Sequence, residues 1–279
     1  MRPPETTVST LWIGAPLSPY EQLALTSFVA AGVTVQLFTF DPLLAVPDGV
    51  ERCDAREVLP ETSVFQNPHF PGTHAPYSDV FRYRMLQTHG ATWIDTDVVL
   101  VGSGLPAGEY LFGLEAPAII SCGVLKAPAQ SPFVGWLNEQ VAAIDDDSPE
   151  WGVSGPRLVT EGVTRFGLQH HVQPVEVLYP IHYTDVATLF DPAARDWVDE
   201  RLADAATLHL WNEILRRGGL NKHIRPPSGS WLAGAFDMYD IRFPTDEELD
   251  FASIRSTLAE SRLPVRRRLM RKLRHLSPW

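Results

Sequence analysis

The first forty residues decide most of what this chain can become. Val8 to Gly14 is a short apolar run ending in glycine, and Val33 to Phe40 is a second run that alternates. Between them Ser18 precedes Pro19, and Glu21 follows three residues after the serine. Those offsets start a helix, because the serine oxygen accepts from the first-turn amides while the glutamate reaches back to the serine amide. The helix reads to Ala31, where Gly32 ends it. Strand, helix and strand in so short a span form a βαβ unit, which requires a parallel sheet. At 279 residues the chain is long enough to bury a core without staples.

Further on, 41–76 reads as loop, with prolines at 42, 47, 60, 68, 71 and 76. Tyr77 to His89 reads as a helix with Gly90 at its C-cap, and Thr92 to Val101 as the strongest strand, interrupted only by Asp95 and Asp97. Leu111 to Leu125 reads as one or two strands. Ser131 to Ile144 is a helix closed by Asp145, Asp146 and Asp147, and Arg157 to Phe166 is another. Val175 to Leu178 and Thr207 to Leu210 read as late strands. No internal repeat and no linker divides the chain before about residue 250. The expected organisation is one α/β domain over 1–250 and a basic tail over 251–279.

Composition excludes several classes. Net charge is −11, which argues against nucleic acid as a partner. Cys53 and Cys122 are the only cysteines, too few for a disulfide framework or a four-cysteine zinc site, and both read as ordinary buried thiols. No apolar run approaches the ~18 residues that span a bilayer. Met1 to Thr10 holds two prolines and no apolar stretch of the secretory kind. The expectation is a soluble protein of a reducing compartment, the cytoplasm. Ser261 to Trp279 nevertheless carries seven cations and no acid. There Val265, Leu269, Leu273 and Leu276 form a helical stripe beside Arg266, Arg267, Arg268, Arg271, Lys272 and Arg274. Such a helix either lies on an anionic membrane surface or packs its stripe on the acidic body.

Asp95 and Asp97 are the residues that carry chemistry. Ionised carboxylates inside an apolar strand cost several kcal/mol unless they sit at a strand end, hold a cation, or both. At i and i+2 on a strand the two project to one side, where like charges repel without a divalent cation. Hard oxygen ligands suit Mg²⁺ or Mn²⁺, which keep positions for water and substrate phosphates.

The flanking residues sharpen this. Ser78, Asp79, Arg82, Leu86, Gly90, Trp93, Asp95 and Asp97 follow, ungapped over twenty residues, the pattern S-D-x-x-R-x(3)-L-x(3)-G-G-x-Y-x-D-x-D. The chain thus resembles the retaining sugar-nucleotide glycosyltransferases of the α-1,4-galactosyltransferase and α-1,6-mannosyltransferase kind (family 32-like), related to the glucosyltransferase domains of large clostridial toxins. It departs at Ala91, where a second glycine is usual, and at Trp93, where tyrosine is usual. Leu11-Trp12-Ile13-Gly14 is similar to the family's first strand, although Ser9 and Thr10 stand where relatives often carry histidine. Leu208 to Asn212 is similar to its H-x-W-N segment, and Ser154-Gly155-Pro156 to its T-G-P.

The resemblance implies a GT-A type fold, a single twisted, mostly parallel sheet flanked by helices. It implies Asp97 as direct metal ligand, with Asp95 on the sugar, the ribose, or the metal through water. Donor contacts fall to Trp12, Ile13, Gly14, Asp79, Arg82, Asp95 and Asn212, with Arg82 counted as catalytic beside the two aspartates. Several assignments stay open. Asp79 and Arg82 form either an intrahelical ion pair or a pair gripping donor hydroxyls and diphosphate. Trp12 either stacks a nucleobase or fills the core. His209 either completes the metal shell or is structural, and Asn212 either binds phosphate or sugar or caps a helix. Glu115, Gly155 and Pro156 are placed on the acceptor side.

The expected activity is Mn²⁺- or Mg²⁺-dependent transfer of a hexose or N-acetylhexosamine from a nucleotide diphosphate sugar, UDP-linked by preference. The acceptor would be a glycan or lipid-linked glycan hydroxyl, with the enzyme free in the cytoplasm or peripheral at the inner membrane face. Two alternatives stand beside it: a Mg²⁺-dependent phosphoryl-transfer hydrolase using Asp-x-Asp, and a catalytically silent sugar-binding protein.

Overall fold

In a computed structural model, the structure describes residues 7–144 and 150–261. The elements begin with β1 (Thr7–Trp12), α1 (Pro19–Ala30), β2 (Thr34–Thr39) and β3 (Val50–Asp54). They continue with α2 (Ala75–His89), β4 (Thr92–Ile94), β5 (Val98–Leu100), β6 (Phe112–Ala116), β7 (Ile119–Ile120) and β8 (Val124–Lys126). α3 (Pro132–Ala142), α4 (Leu158–Arg165), β9 (Val172–Gln173) and α5 (Val175–Leu178) follow. The last are α6 (Arg195–Leu202), β10 (Thr207–His209), α7 (Asn212–Arg217), α8 (Trp231–Met238) and α9 (Phe251–Ser261).

The main sheet has the order β3-β2-β1-β4-β8, parallel throughout except for β8, which runs antiparallel to β4. The mostly parallel α/β sheet demanded by the first forty residues is therefore present. Ser18 caps α1 with the anticipated box: its oxygen accepts from the Tyr20 amide, and its own amide donates to Glu21 at 2.9 Å. One core cluster joins the sheet to its helices through Leu11, Phe38, Phe81, Trp93, Phe112 and Phe133. Full burial of side chains of this size contributes roughly 1.5–3 kcal/mol each.

Five expectations need correction. The sheet is not single: β5 pairs antiparallel with β10, and β6 forms a three-stranded sheet with β7 and β9. Thr92 to Val101 is not one strand, because the Val98 amide returns to the Asp95 carbonyl at 3.0 Å and folds the two aspartates into a turn. Residues 41–76 are not all loop. They contain β3, an edge strand in which only Val50 is buried, so its sequence lacks an apolar run. Val175 to Leu178 is a short helix, closed by the Tyr179 amide on the Val175 carbonyl at 2.9 Å. Of the two thiols, Cys122 is buried as expected and Cys53 only half-buried.

The chain divides into two compact units. The first comprises Met1–His182 with Arg201–His209, and the second Tyr183–Glu200 with Leu210–Trp279. In the second unit α9 packs on α7 and on the 3-10 turn Val186–Phe190, while Phe236 and Phe243 meet edge to face at 4.8 Å. No helix among the described residues is long and apolar enough to cross a membrane. The acidic run Asp145 to Asp147 and the stripe from Val265 to Leu276 lie outside the described residues.

Candidate donor and metal site

The chain leaves β1 to one side through β2 and β3, then returns to add β4 on the other side of β1. This reversal makes a switch point, and open α/β sheets place ligands there, beyond the carboxyl ends of the strands. β1 ends at Trp12 and β4 at Ile94, so Trp12 and the turn of Asp95 to Asp97 share that edge.

Three backbone devices hold the turn. Gly90 takes φ 59°, ψ 45° at the end of α2 and brings the chain directly into β4. A Cβ there would stand 2.5 Å from the Ala129 amide nitrogen, which excludes any larger residue. The Asp95 amide donates to the Gly123 carbonyl at 2.7 Å, extending the β4–β8 pairing by one residue. Past the turn, β5 pairs with β10, and Val98 lies opposite His209.

The consequence is a cluster of three side chains of metal-ligating type. Asp97 Oδ1 and His209 Nε2 are 3.1 Å apart, and one ligand atom from each of Asp95, Asp97 and His209 lies within 4.8 Å of the others. Asp97 is 7% and His209 8% exposed. Burial opposes protonation of His209, yet Asp97, seconded by Asp95 and Glu115, outweighs it and raises the imidazole above its ordinary value. Two hard oxygens, an imidazole and a neighbouring glycine that leaves room are a donor set that fits a divalent cation.

Arg82 organises the carboxylates behind this cluster. It lies one turn after Asp79 on α2 and pairs with it, and its second terminal nitrogen donates to Asp95 Oδ1 at 2.6 Å. Its guanidinium carbon sits 4.9 Å from the centre of the Trp93 ring, whose Nε1 donates to the same Asp95 oxygen at 2.7 Å. Burial works against the arginine charge, but Cys122, Asp95 and Asp79 together keep its pKa far above the usual range. The intrahelical ion pair is thus real and reaches on to Asp95. Only 3% of the Arg82 side chain is exposed, and its two terminal nitrogens engage Asp79 and Asp95.

Asp79 is tied in the other direction as well. Its Oδ2 accepts from Ser154 Oγ at 2.7 Å, and the Tyr83 hydroxyl donates to the Ser154 carbonyl at 2.6 Å. Burial pushes the Asp79 carboxyl up, against the pull of Arg82 and Ser154. Gly155 follows with a non-helical φ −102°, ψ −111°, and a Cβ on it would lie 3.0 Å from both Asp79 Oδ2 and Cys122 Sγ. Pro156 comes next, where the chain enters α4.

The remaining anticipated residues are scattered more widely. Trp12 is half-buried and donates its Nε1 to the Ala15 carbonyl at 2.6 Å. Ile13 packs against the core cluster, and Gly14 is exposed at φ 108°. Glu115, on β6, is raised by burial, with Ser121 and His209 pulling it down and Asp95 pushing it up. Asn212 belongs to the second unit, where it opens α7 after Trp211 at φ 55°. Four residues were not singled out from sequence as site members: Tyr83, Gly123, Tyr179 and, as an indole donor, Trp93. Only Trp93 left a trace, as a departure from the family's tyrosine.

Parts of this chain are similar to known proteins. Residues 146–233 match the alpha 1,4-glycosyltransferase conserved region. The chain is 26% identical over 166 residues to an uncharacterized protein of Arabidopsis thaliana, covering 52% of this chain and about a quarter (25%) of that relative's length. The PaToxG glycosyltransferase structure aligns at 17% identity with a TM-score of 0.43, over 58% of this chain and 69% of its own. Residues 146–233, under a third of this chain, are thus similar to a glycosyltransferase region.

Proposed function

We propose that this chain transfers a hexose or N-acetylhexosamine from a nucleotide diphosphate sugar, UDP-linked by preference, to a hydroxyl of a glycan or lipid-linked glycan, with retention at the anomeric carbon. The observation that carries the reading is the convergence of Asp95, Asp97 and His209 at the switch-point edge. In this reading Asp97 and His209 hold Mn²⁺ or Mg²⁺, with Asp95 beside them. A divalent ion, when bound, offsets the charge that grows on the departing diphosphate. Trp12, half-exposed at the end of β1, offers its indole face to the nucleobase, and Ile13 and Gly14 line the same strand end. Asn212 is assigned to the donor phosphates or sugar. Arg82, paired with Asp79, holds and aims Asp95, while Glu115, Gly155 and Pro156 border the acceptor. The basic tail is assigned to an anionic membrane surface that would present a lipid-linked acceptor.

Release of UDP or GDP from a panel of UDP- and GDP-sugars with Mn²⁺ tests this. The wild type should release nucleotide from at least one donor, and Asp97→Ala from none. Release undiminished in Asp97→Ala, or no release from any donor, overturns the reading.

A further inference from the structure

Asp95 is built with two unlike oxygens. Oδ1 is saturated, taking the Arg82 guanidinium at 2.6 Å and the Trp93 indole N–H at 2.7 Å. Oδ2 faces the other way, towards Gly123. A Cβ built on Gly123 would stand 3.2 Å from Asp95 Oδ2, 3.3 Å from the Tyr179 hydroxyl and 3.5 Å from His209 Cε1. Three polar side chains, from the ends of β4 and α5 and from β10, thus converge on a spot where the chain supplies no side chain.

Conformation does not demand that glycine. Gly123 is absent from the left-handed positions, which include Gly14, Gly90 and Gly152. Its carbonyl is held by the Asp95 amide at 2.7 Å and its amide reaches Ser121 Oγ at 3.3 Å, so the backbone cannot retreat from an added methyl. Tyr179 cannot yield either, because its hydroxyl accepts from the Val124 amide at 2.7 Å. What glycine provides here is room.

We propose that Trp93 and Gly123 are positioning residues that make Asp95 a one-oxygen ligand. Trp93, with Arg82, fixes Oδ1, and Gly123 reserves the space before Oδ2 for an oxygen of the cation's shell, from water or from the donor diphosphate. The inference rests on the metal-dependent reading above and adds to it the residues that set the aspartate's orientation. Removing partners that orient a metal ligand typically weakens metal binding 10- to 100-fold.

Mn²⁺ affinity of the full chain, measured by electron paramagnetic resonance with UDP present, is the test. Trp93→Phe keeps a ring beneath Arg82 while deleting the indole N–H along with part of a buried indole, and Gly123→Ala removes no core atom. Each should bind Mn²⁺ about 10- to 100-fold more weakly, and excess Mn²⁺ should recover donor hydrolysis in Trp93→Phe. Trp136→Phe, which shortens a buried indole lying edge to face with Phe166 and beneath Arg165, should bind like the wild type. Wild-type affinity in both Trp93→Phe and Gly123→Ala overturns the inference while leaving the metal site standing. An equal loss in Trp136→Phe overturns the assignment of Trp93. If Trp93→Phe does not fold, Gly123→Ala decides alone. If the wild type binds no Mn²⁺, the proposed function falls, and this inference with it.

Discussion

Asp97 and His209 stand 112 positions apart in the chain and 3.1 Å apart in space. A three-residue antiparallel pairing, β5 on β10, achieves this by setting Val98 opposite His209. The turn that ends β4 then delivers Asp95 to the same place. Neither contact is local in sequence.

Asp97→Asn should cut metal-dependent nucleotide-sugar turnover more than a hundredfold while the circular dichroism spectrum stays that of the wild type. The amide keeps the shape of the side chain and loses the charge that draws a cation. Wild-type rates at saturating Mn²⁺ and donor would remove Asp97 from the metal shell.

Arg82→Ala leaves Asp79 and Asp95 facing each other without their shared cation. Breaking a buried pair in this way costs about 3–5 kcal/mol, and for a chain of this size each kcal/mol lowers Tm by roughly 2–4 °C. Arg82→Lys should recover little, because an ammonium has no planar fork to reach two carboxylates at once. Thermal melts of the three proteins decide, and a lysine variant as stable as wild type would reduce the network to simple charge balance.

Trp12→Ala should raise the donor's dissociation constant about 5- to 150-fold, the effect of losing ~1–3 kcal/mol of base stacking, and Trp12→Phe should recover much of it. Calorimetry with the preferred donor measures this. Equal affinities would make Trp12 a structural residue held by Ala15.

Glu115 carries a pH signature of known sign. Its folded pKa is raised, chiefly by burial, so the folded state binds more protons than the unfolded one over the interval above the ordinary glutamate value. Stability contributed by the protonated form is therefore present below that value and lost as pH rises through the raised one. Glu115→Gln should flatten this loss, melting higher than wild type at pH 7 and alike at pH 4. Parallel pH dependences in the two proteins would contradict it.

The full chain should sediment with anionic vesicles at low salt and leave them at high salt, and a chain ending at Glu260 should stay in the supernatant. Several cations near the surface, at about 1 kcal/mol each, are enough for reversible binding. Identical behaviour of the two chains would withdraw the membrane from the proposed function.

Much of this was legible in the sequence, and what was not has physical causes. The βαβ start was readable because capping box, glycine stop and apolar runs are all local signals. Asp95 and Asp97 stood out for being carboxylates among β-branched residues, but the same run concealed that they break the strand. β3 was invisible because an edge strand with one buried residue looks like loop, and Val175 to Leu178 alternates like a strand over four residues. Arg82 was correctly paired with Asp79 at i+3, whereas its reach to Asp95 depends on how α2 meets β4. Gly123 and Tyr179 carry no motif. Their importance comes only from what converges around an absent side chain.

Asp95, Arg82, Asp79 and Ser154 form an unbroken series of contacts from the ligand cluster to the segment that opens α4. Residues in one hydrogen-bonded network do not mutate independently, with coupling of about 0.5–3 kcal/mol. A change in the Ser154 segment is therefore carried through Asp79 and Arg82 to the carboxylate that stands beside Asp97 and His209. Drift in this chain has to move both ends in step, so substitutions along that series should arise in pairs and rarely singly.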